Sequence, residues 1–137
     1  MRSLVKLLVG PDWVAYSAAL DRAYARAELK PATRLRLAQS LAAALPETGR
    51  PGDLERARVL HELVVAESTV SDDLVVTGAL ISVRSAKADE VRGAIRALEQ
   101  VLAGSDAAVK RRARRVLLEA KALLAEMPTR IGEAPAA

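Results

Sequence analysis

Basic residues are concentrated in one short stretch near the C-terminal end of the chain. Of the 21 lysines and arginines, five fall within six positions, in the segment KRRARR at 110–115. Guanidinium and ammonium groups at this density offer ionic binding to carboxylates or phosphates. The segment is therefore a candidate contact surface for an acidic protein or for a nucleic acid.

The basic run lies within a longer pattern, 105–127, that predicts an amphipathic helix. At about 100° per residue, its apolar residues fall within one arc of roughly 120°, as expected for a helix on a core. Glu119 and all the basic residues fill the rest of the circle, where we expect solvent. The basic residues there are Lys110, Arg111, Arg112, Arg114, Arg115 and Lys121, and the apolar ones are Val109, Ala113, Val116, Leu117, Ala120, Leu123, Leu124 and Met127.

Leu118 is the exception to this pattern, because it lies about 180° from Val109, among the arginines. One interpretation is a solvated helix face with a single exposed leucine, which is ordinary in soluble proteins. The other is a contact surface in which Leu118 is the apolar anchor. Its residues would be Arg111, Arg114, Arg115, Leu118 and Lys121.

The three aromatic residues form a second candidate site near the N-terminal end. Trp13, Tyr16 and Tyr24, with Leu20, follow a spacing of three, four and four residues, which places them on one helix face. Packing against neighbouring helices explains such a face. A groove for a ligand or peptide is the alternative, because the polar tips of Trp and Tyr favour a half-buried edge.

Patterns that indicate catalysis or a metal centre are absent from the sequence. It has no cysteine and one histidine, His61, which has no second histidine four residues later. We find no glycine-rich phosphate loop and no nucleophile paired with a base. Many acidic residues stand at predicted helix starts, where capping explains them: Asp53, Asp72, Asp73, Asp89 and Asp106. We therefore predict no enzymatic activity, no cofactor and no bound metal.

The composition predicts an aliphatic core, and the helical patterns along the chain predict an all-α protein. Apolar residues make up 51% of the 137 residues, and phenylalanine is missing. We expect a single helical domain at 1–127 and a flexible tail at 128–137. No apolar run approaches the roughly 20 residues of a membrane span, and no signal peptide is recognised, so the expected location is cytoplasmic.

Six or seven amphipathic helices in antiparallel pairs are predicted. A short helix at 1–9 ends at Gly10-Pro11, and the others occupy 11–29, 31–45, 53–67, 72–85, 89–103 and 105–127. The segment 46–52, with two prolines and two glycines, is predicted to be a loop. It is too long for the turn of a helix-turn-helix motif. The β-branched segment 72–85 would also suit a strand, but a lone strand has no partner, so we predict a buried helix.

Two of these helices carry a degenerate motif. Asp106, Val109, Lys110, Ala113 and Leu117 form D-x-x-V-K-x-x-A-x-x-x-L, and a related pattern occurs 34 residues earlier, at Asp72, Val75, Ala79 and Val83. This pattern resembles the second helix of HEAT repeats, although Val76 replaces the basic residue of the motif. The resemblance implies a short α-solenoid that acts as a protein-binding scaffold; an irregular helical bundle is the alternative.

The charge is unevenly distributed, although the net charge is only +4. Residues 1–50 carry eight basic and four acidic side chains. Residues 51–104 carry six basic and nine acidic ones, and residues 105–137 carry seven basic and four acidic ones. This polarity would favour head-to-tail self-association. We expect a non-enzymatic interaction module that binds a protein partner or itself, without a membrane. The alternative is a nucleic-acid-binding protein that uses the basic face of the last helix.

Overall fold

The computed structural model describes residues 12–26, 28–104 and 106–127, and within them the chain is all-helical. The predicted helix at 1–9 and the predicted tail at 128–137 lie outside the described residues. The described residues form six α-helices and one short 3-10 helix (Leu45–Thr48). The α-helices are α1 (Trp13–Tyr24), α2 (Pro31–Ala44), α3 (Pro51–Glu67), α4 (Asp72–Arg84), α5 (Ala88–Gly104) and α6 (Ala107–Glu126). The all-α prediction is confirmed.

The chain divides into two compact units, Met1–Thr69 and Val70–Ala137. In the first unit, α2 packs against both α1 and α3, and the 3-10 helix contacts all three. Arg56 on α3 also reaches Asp21 on α1 through a bidentate ion pair, in which Arg56 Nη2 lies 2.6 Å from Asp21 Oδ1. The hydrogen bond to Asp21 raises the pKa of Arg56 above its ordinary value. The buried apolar residues of these helices are alanines, leucines and one valine: Ala38, Leu41, Ala42, Ala44, Leu45, Ala57, Leu60 and Val64.

Two helix ends in the first unit differ from the prediction. Helix α1 ends at Tyr24 rather than near residue 29, and the Arg34 guanidinium donates to the carbonyl oxygens of Tyr24 and Arg26 at 2.7 and 2.6 Å. A side chain of the next helix thus binds backbone acceptors at the end of α1.

Asp53 was predicted to cap α3, but this prediction is wrong. The helix begins two residues earlier, at Pro51, because proline suits a first helical position. Asp53 lies in the first turn, where its carboxylate accepts from the Thr48 hydroxyl and from Arg50 Nε at 2.7 and 2.6 Å. Burial raises the pKa of Asp53, but these two hydrogen bonds outweigh it, and the pKa lies below its usual value.

Ser17 is a buried polar residue without a hydrogen-bond partner in the part of the chain that the structure describes. Its side chain is 2% exposed, and its Oγ makes no hydrogen bond. Burying a hydroxyl in this way costs free energy, whereas alanine has no such group and a higher helix propensity. We expect Ser17→Ala to raise the free energy of unfolding by about 0.5–1.5 kcal/mol.

Urea unfolding followed by the fluorescence of Trp13, which lies one turn away on α1, measures this change. Ala18→Ser is the matched control, because Ala18 is exposed on the same helix and the added hydroxyl stays in water. A Ser17→Ala protein less stable than the parent would show that the hydroxyl has a stabilising role.

In the second unit, α4, α5 and α6 each pack against the other two. Helix α4 has seven buried residues, so the β-branched segment is the buried helix that was predicted. The Ser71 Oγ accepts from the Leu74 N–H and caps its N-terminus. The core combines residues from all three helices: Val76, Ala79, Leu80, Val83, Val91, Ala94, Leu98, Val101, Ala113, Val116 and Ala120.

Candidate interaction surface

Helix α6 is positioned by its apolar side and by its N-cap. Asp106 Oδ1 accepts a hydrogen bond from the Val109 N–H at 3.0 Å. Ala113, Val116 and Ala120 are fully buried against α4 and α5, as the predicted arc requires. This packing leaves the opposite side of α6 facing solvent. We call that side the α6 outer face and define it by Arg111, Arg114, Arg115, Leu118 and Lys121.

Leu118 lies in the middle of the α6 outer face and is 72% exposed, more than any other large apolar side chain in the described residues. Arg111 and Arg114 precede it by seven and four residues, so the three share an arc of about 60°. The predicted exposure of Leu118 among arginines is confirmed.

The basic residues of the α6 outer face differ in their partners. Neither Arg111 nor Arg114 forms an ion pair within residues 12–26, 28–104 and 106–127, and both are exposed. Lys121 Nζ lies 3.8 Å from Glu99 Oε2, a solvent-exposed pair of small energetic value. Two guanidinium groups beside Leu118 are therefore available for a partner's anions.

Arg112 and Glu119, which were predicted to face solvent, instead bind α4. Arg112 donates to the Asp73 carboxylate at 2.8 Å, to the Asp73 carbonyl at 3.1 Å and to the Thr77 hydroxyl at 2.7 Å. Glu119 accepts from Arg84 Nε at 2.6 Å. Both residues lie just beyond one edge of the apolar arc, where a long side chain reaches the neighbouring helix. The solvent-facing basic surface is therefore narrower than the sequence indicated.

The three aromatic residues make separate contacts within the described residues. The rings of Trp13 and Tyr16 meet edge to face with centroids 6.0 Å apart, and Tyr16 is 49% exposed. Tyr24 lies two turns further along α1, where the Arg34 guanidinium stands 5.4 Å from its ring centroid. A shallow recess of about 160 Å³ is lined by other residues, namely Pro31, Arg34, Leu35, Leu63 and Glu67.

An exposed apolar strip on α3 was missed by the sequence analysis. Val59 and Leu63 are 58% and 40% exposed. Ala66 continues the strip, and the exposed side chains of Glu62 and Glu67 border it. We call these five residues the α3 outer face. The sequence did contain a signal for this strip, because apolar residues occur on both sides of α3, whereas a surface helix normally has a single apolar stripe.

The described residues contain no candidate metal site and no candidate membrane-spanning helix. They contain no group of three or more histidine, cysteine, aspartate or glutamate side chains that could hold a metal ion. Among their helices, none combines the length and apolar character that crossing a bilayer requires. His61 is half-buried in α3.

No protein-family model, curated protein or solved structure matches this chain. Inference about its function therefore depends on the surfaces described above.

Proposed function

We propose that this chain is a non-catalytic helical interaction module that binds a protein through the α6 outer face. One observation supports the proposal: Leu118 is 72% exposed beside Arg111 and Arg114, which form no ion pair within the described residues. Arg84 and Arg112 in the same unit both bind carboxylates. Arg111 and Arg114 contribute no comparable contact to the fold.

The energetics of this surface favour a partner that offers both apolar contacts and carboxylates. Fully burying a leucine side chain contributes about 1.5–3 kcal/mol, and arginine is enriched among the residues that dominate protein interfaces. A central apolar residue with a charged rim is the usual organisation of such a contact. An acidic amphipathic helix has the matching chemistry.

Photo-crosslinking of the full chain in cells tests this proposal. Benzoylphenylalanine placed at position 118 should form a defined protein adduct, and Arg111→Glu with Arg114→Glu should reduce its yield about tenfold or more. The same crosslinker at Ala103, an exposed residue of α5, is the matched control. Adducts at position 118 that equal those at position 103, or that ignore the arginine substitutions, would contradict the proposal.

Nucleic-acid binding is the second candidate function, favoured by the exposed guanidinium groups of Arg111 and Arg114 within one turn of α6. These groups and Lys121 could neutralise about three phosphates, which predicts a salt slope of about −2.7 in a logarithmic plot of affinity. Leu118 has no role in such contacts. The three aromatic residues of the chain all lie on α1, so α6 itself offers no aromatic side chain for base stacking beside Leu118.

A further inference from the structure

The α3 outer face and the α6 outer face have opposite charge and a similar apolar centre. On α3, Val59, Leu63 and Ala66 form the centre, and Glu62 and Glu67 supply the charge. Neither glutamate forms an ion pair within the described parts of the chain. On α6, Leu118 is the centre and Arg111 and Arg114 supply the charge.

Glu67 of the α3 outer face is placed where it does not help the helix itself. Glu67 is the last residue of α3, and no basic residue occupies its last turn. The C-terminal end of a helix carries partial negative charge, so a glutamate there is unfavourable. Helix α6 likewise has no basic residue in its last turn, and five of its six basic residues lie in its N-terminal half. Helix stability alone does not explain either arrangement.

The spacing of these residues matches when the two helices run antiparallel. Arg111 precedes Leu118 by seven residues, or about 10.5 Å along α6. Glu67 follows Val59 by eight residues, or about 12 Å along α3. With Leu118 against Val59 and Leu63, Arg111 comes beside Glu67 and Arg114 beside Glu62. The helix dipoles then oppose one another, which is also favourable.

We propose that the partner of the α6 outer face is the α3 outer face of a second copy of this chain. The inference rests on the proposed function and names its partner. Because the two faces differ, the contact is head-to-tail, and each copy keeps one face free for the next. Association therefore produces a closed ring or a growing filament, and the mean mass rises with concentration.

Charge exchange between the two faces tests the proposal on the full chain. The first variant carries Arg111→Glu and Arg114→Glu, the second carries Glu62→Arg and Glu67→Arg, and the third combines all four substitutions. We expect each double variant to lose association by about tenfold or more, since like charges then face each other. The third variant should associate again, and so should an equal mixture of the first two, because opposite charges then face each other.

The control variant carries Arg92→Glu and Arg96→Glu on α5, which change the net charge as the first variant does but lie on neither face. Sedimentation equilibrium gives the masses, and circular dichroism verifies that each variant is folded. A parent chain that stays monomeric to millimolar concentration would overturn the proposal, as would a four-fold variant that does not associate. Crosslinking of position 118 to a different protein would then still support the proposed function.

Discussion

Leu98→Ala is expected to lower the free energy of unfolding by about 2–5 kcal/mol, the largest effect that we predict for a single substitution. Leu98 is fully buried on α5, the helix that packs against both α4 and α6. Its truncation leaves a cavity in the core that these three helices share, and the cost of that cavity adds to the lost burial of the leucine. The substitution thus tests whether these three helices share one aliphatic core.

Leu118→Ala is the matched control, because it makes the same chemical change at an exposed position of the same unit. We expect it to change stability by less than about 0.5 kcal/mol. Far-ultraviolet circular dichroism is the appropriate probe, since all three aromatic residues lie outside this unit. Equal losses for Leu98→Ala and Leu118→Ala would contradict the arrangement of α5 and α6.

Arg112→Ala is expected to lower the free energy of unfolding by about 1–3 kcal/mol. The substitution removes three hydrogen bonds to α4, including the one to the fully buried Thr77 hydroxyl. A buried polar group that loses its partner costs more than the bond itself contributes, so the effect exceeds that of an ordinary surface ion pair.

Arg114→Ala, two residues away on the same helix, should change stability by less than about 0.5 kcal/mol. Urea unfolding of both variants measures the contrast, and Thr77→Val tests its cause, since the effects of Arg112→Ala and Thr77→Val should not add. Similar effects for the two arginines would mean that Arg112 does not bind α4.

The sequence predicted the helices best where packing on one side is regular. The apolar arc of α6 located its buried residues and placed Leu118 in solvent, because both follow from helical geometry alone. The same helical geometry wrongly placed Arg112 and Glu119 in solvent. A helical wheel shows the direction of a side chain, but it shows neither its length nor the position of the neighbouring helices. The anchoring of α6 to α4 could therefore not be predicted.

Helix ends were less predictable because distant residues determine them. Helix α1 ends where Arg34 binds its carbonyl groups, and this contact exists only once α2 has packed. The start of α3 at Pro51 could have been recognised from the preference of proline for a first turn.

The motif that resembles HEAT repeats stays a prediction. Its Asp106 caps α6, a role that many unrelated helices share. The single domain expected over 1–127 and the roles of the candidate contact residues also stay predictions.

The most direct test of the central claim, that the α6 outer face binds protein, is the solution mass of the full chain by light scattering. It should be compared with Leu118→Asp at low and high salt, with and without mixed DNA and RNA oligonucleotides. We predict that the parent forms assemblies that grow with concentration and ignore nucleic acid, and that Leu118→Asp is a folded monomer. A monomeric parent that gains mass only with nucleic acid at low salt, with Leu118→Asp behaving identically, would contradict the claim.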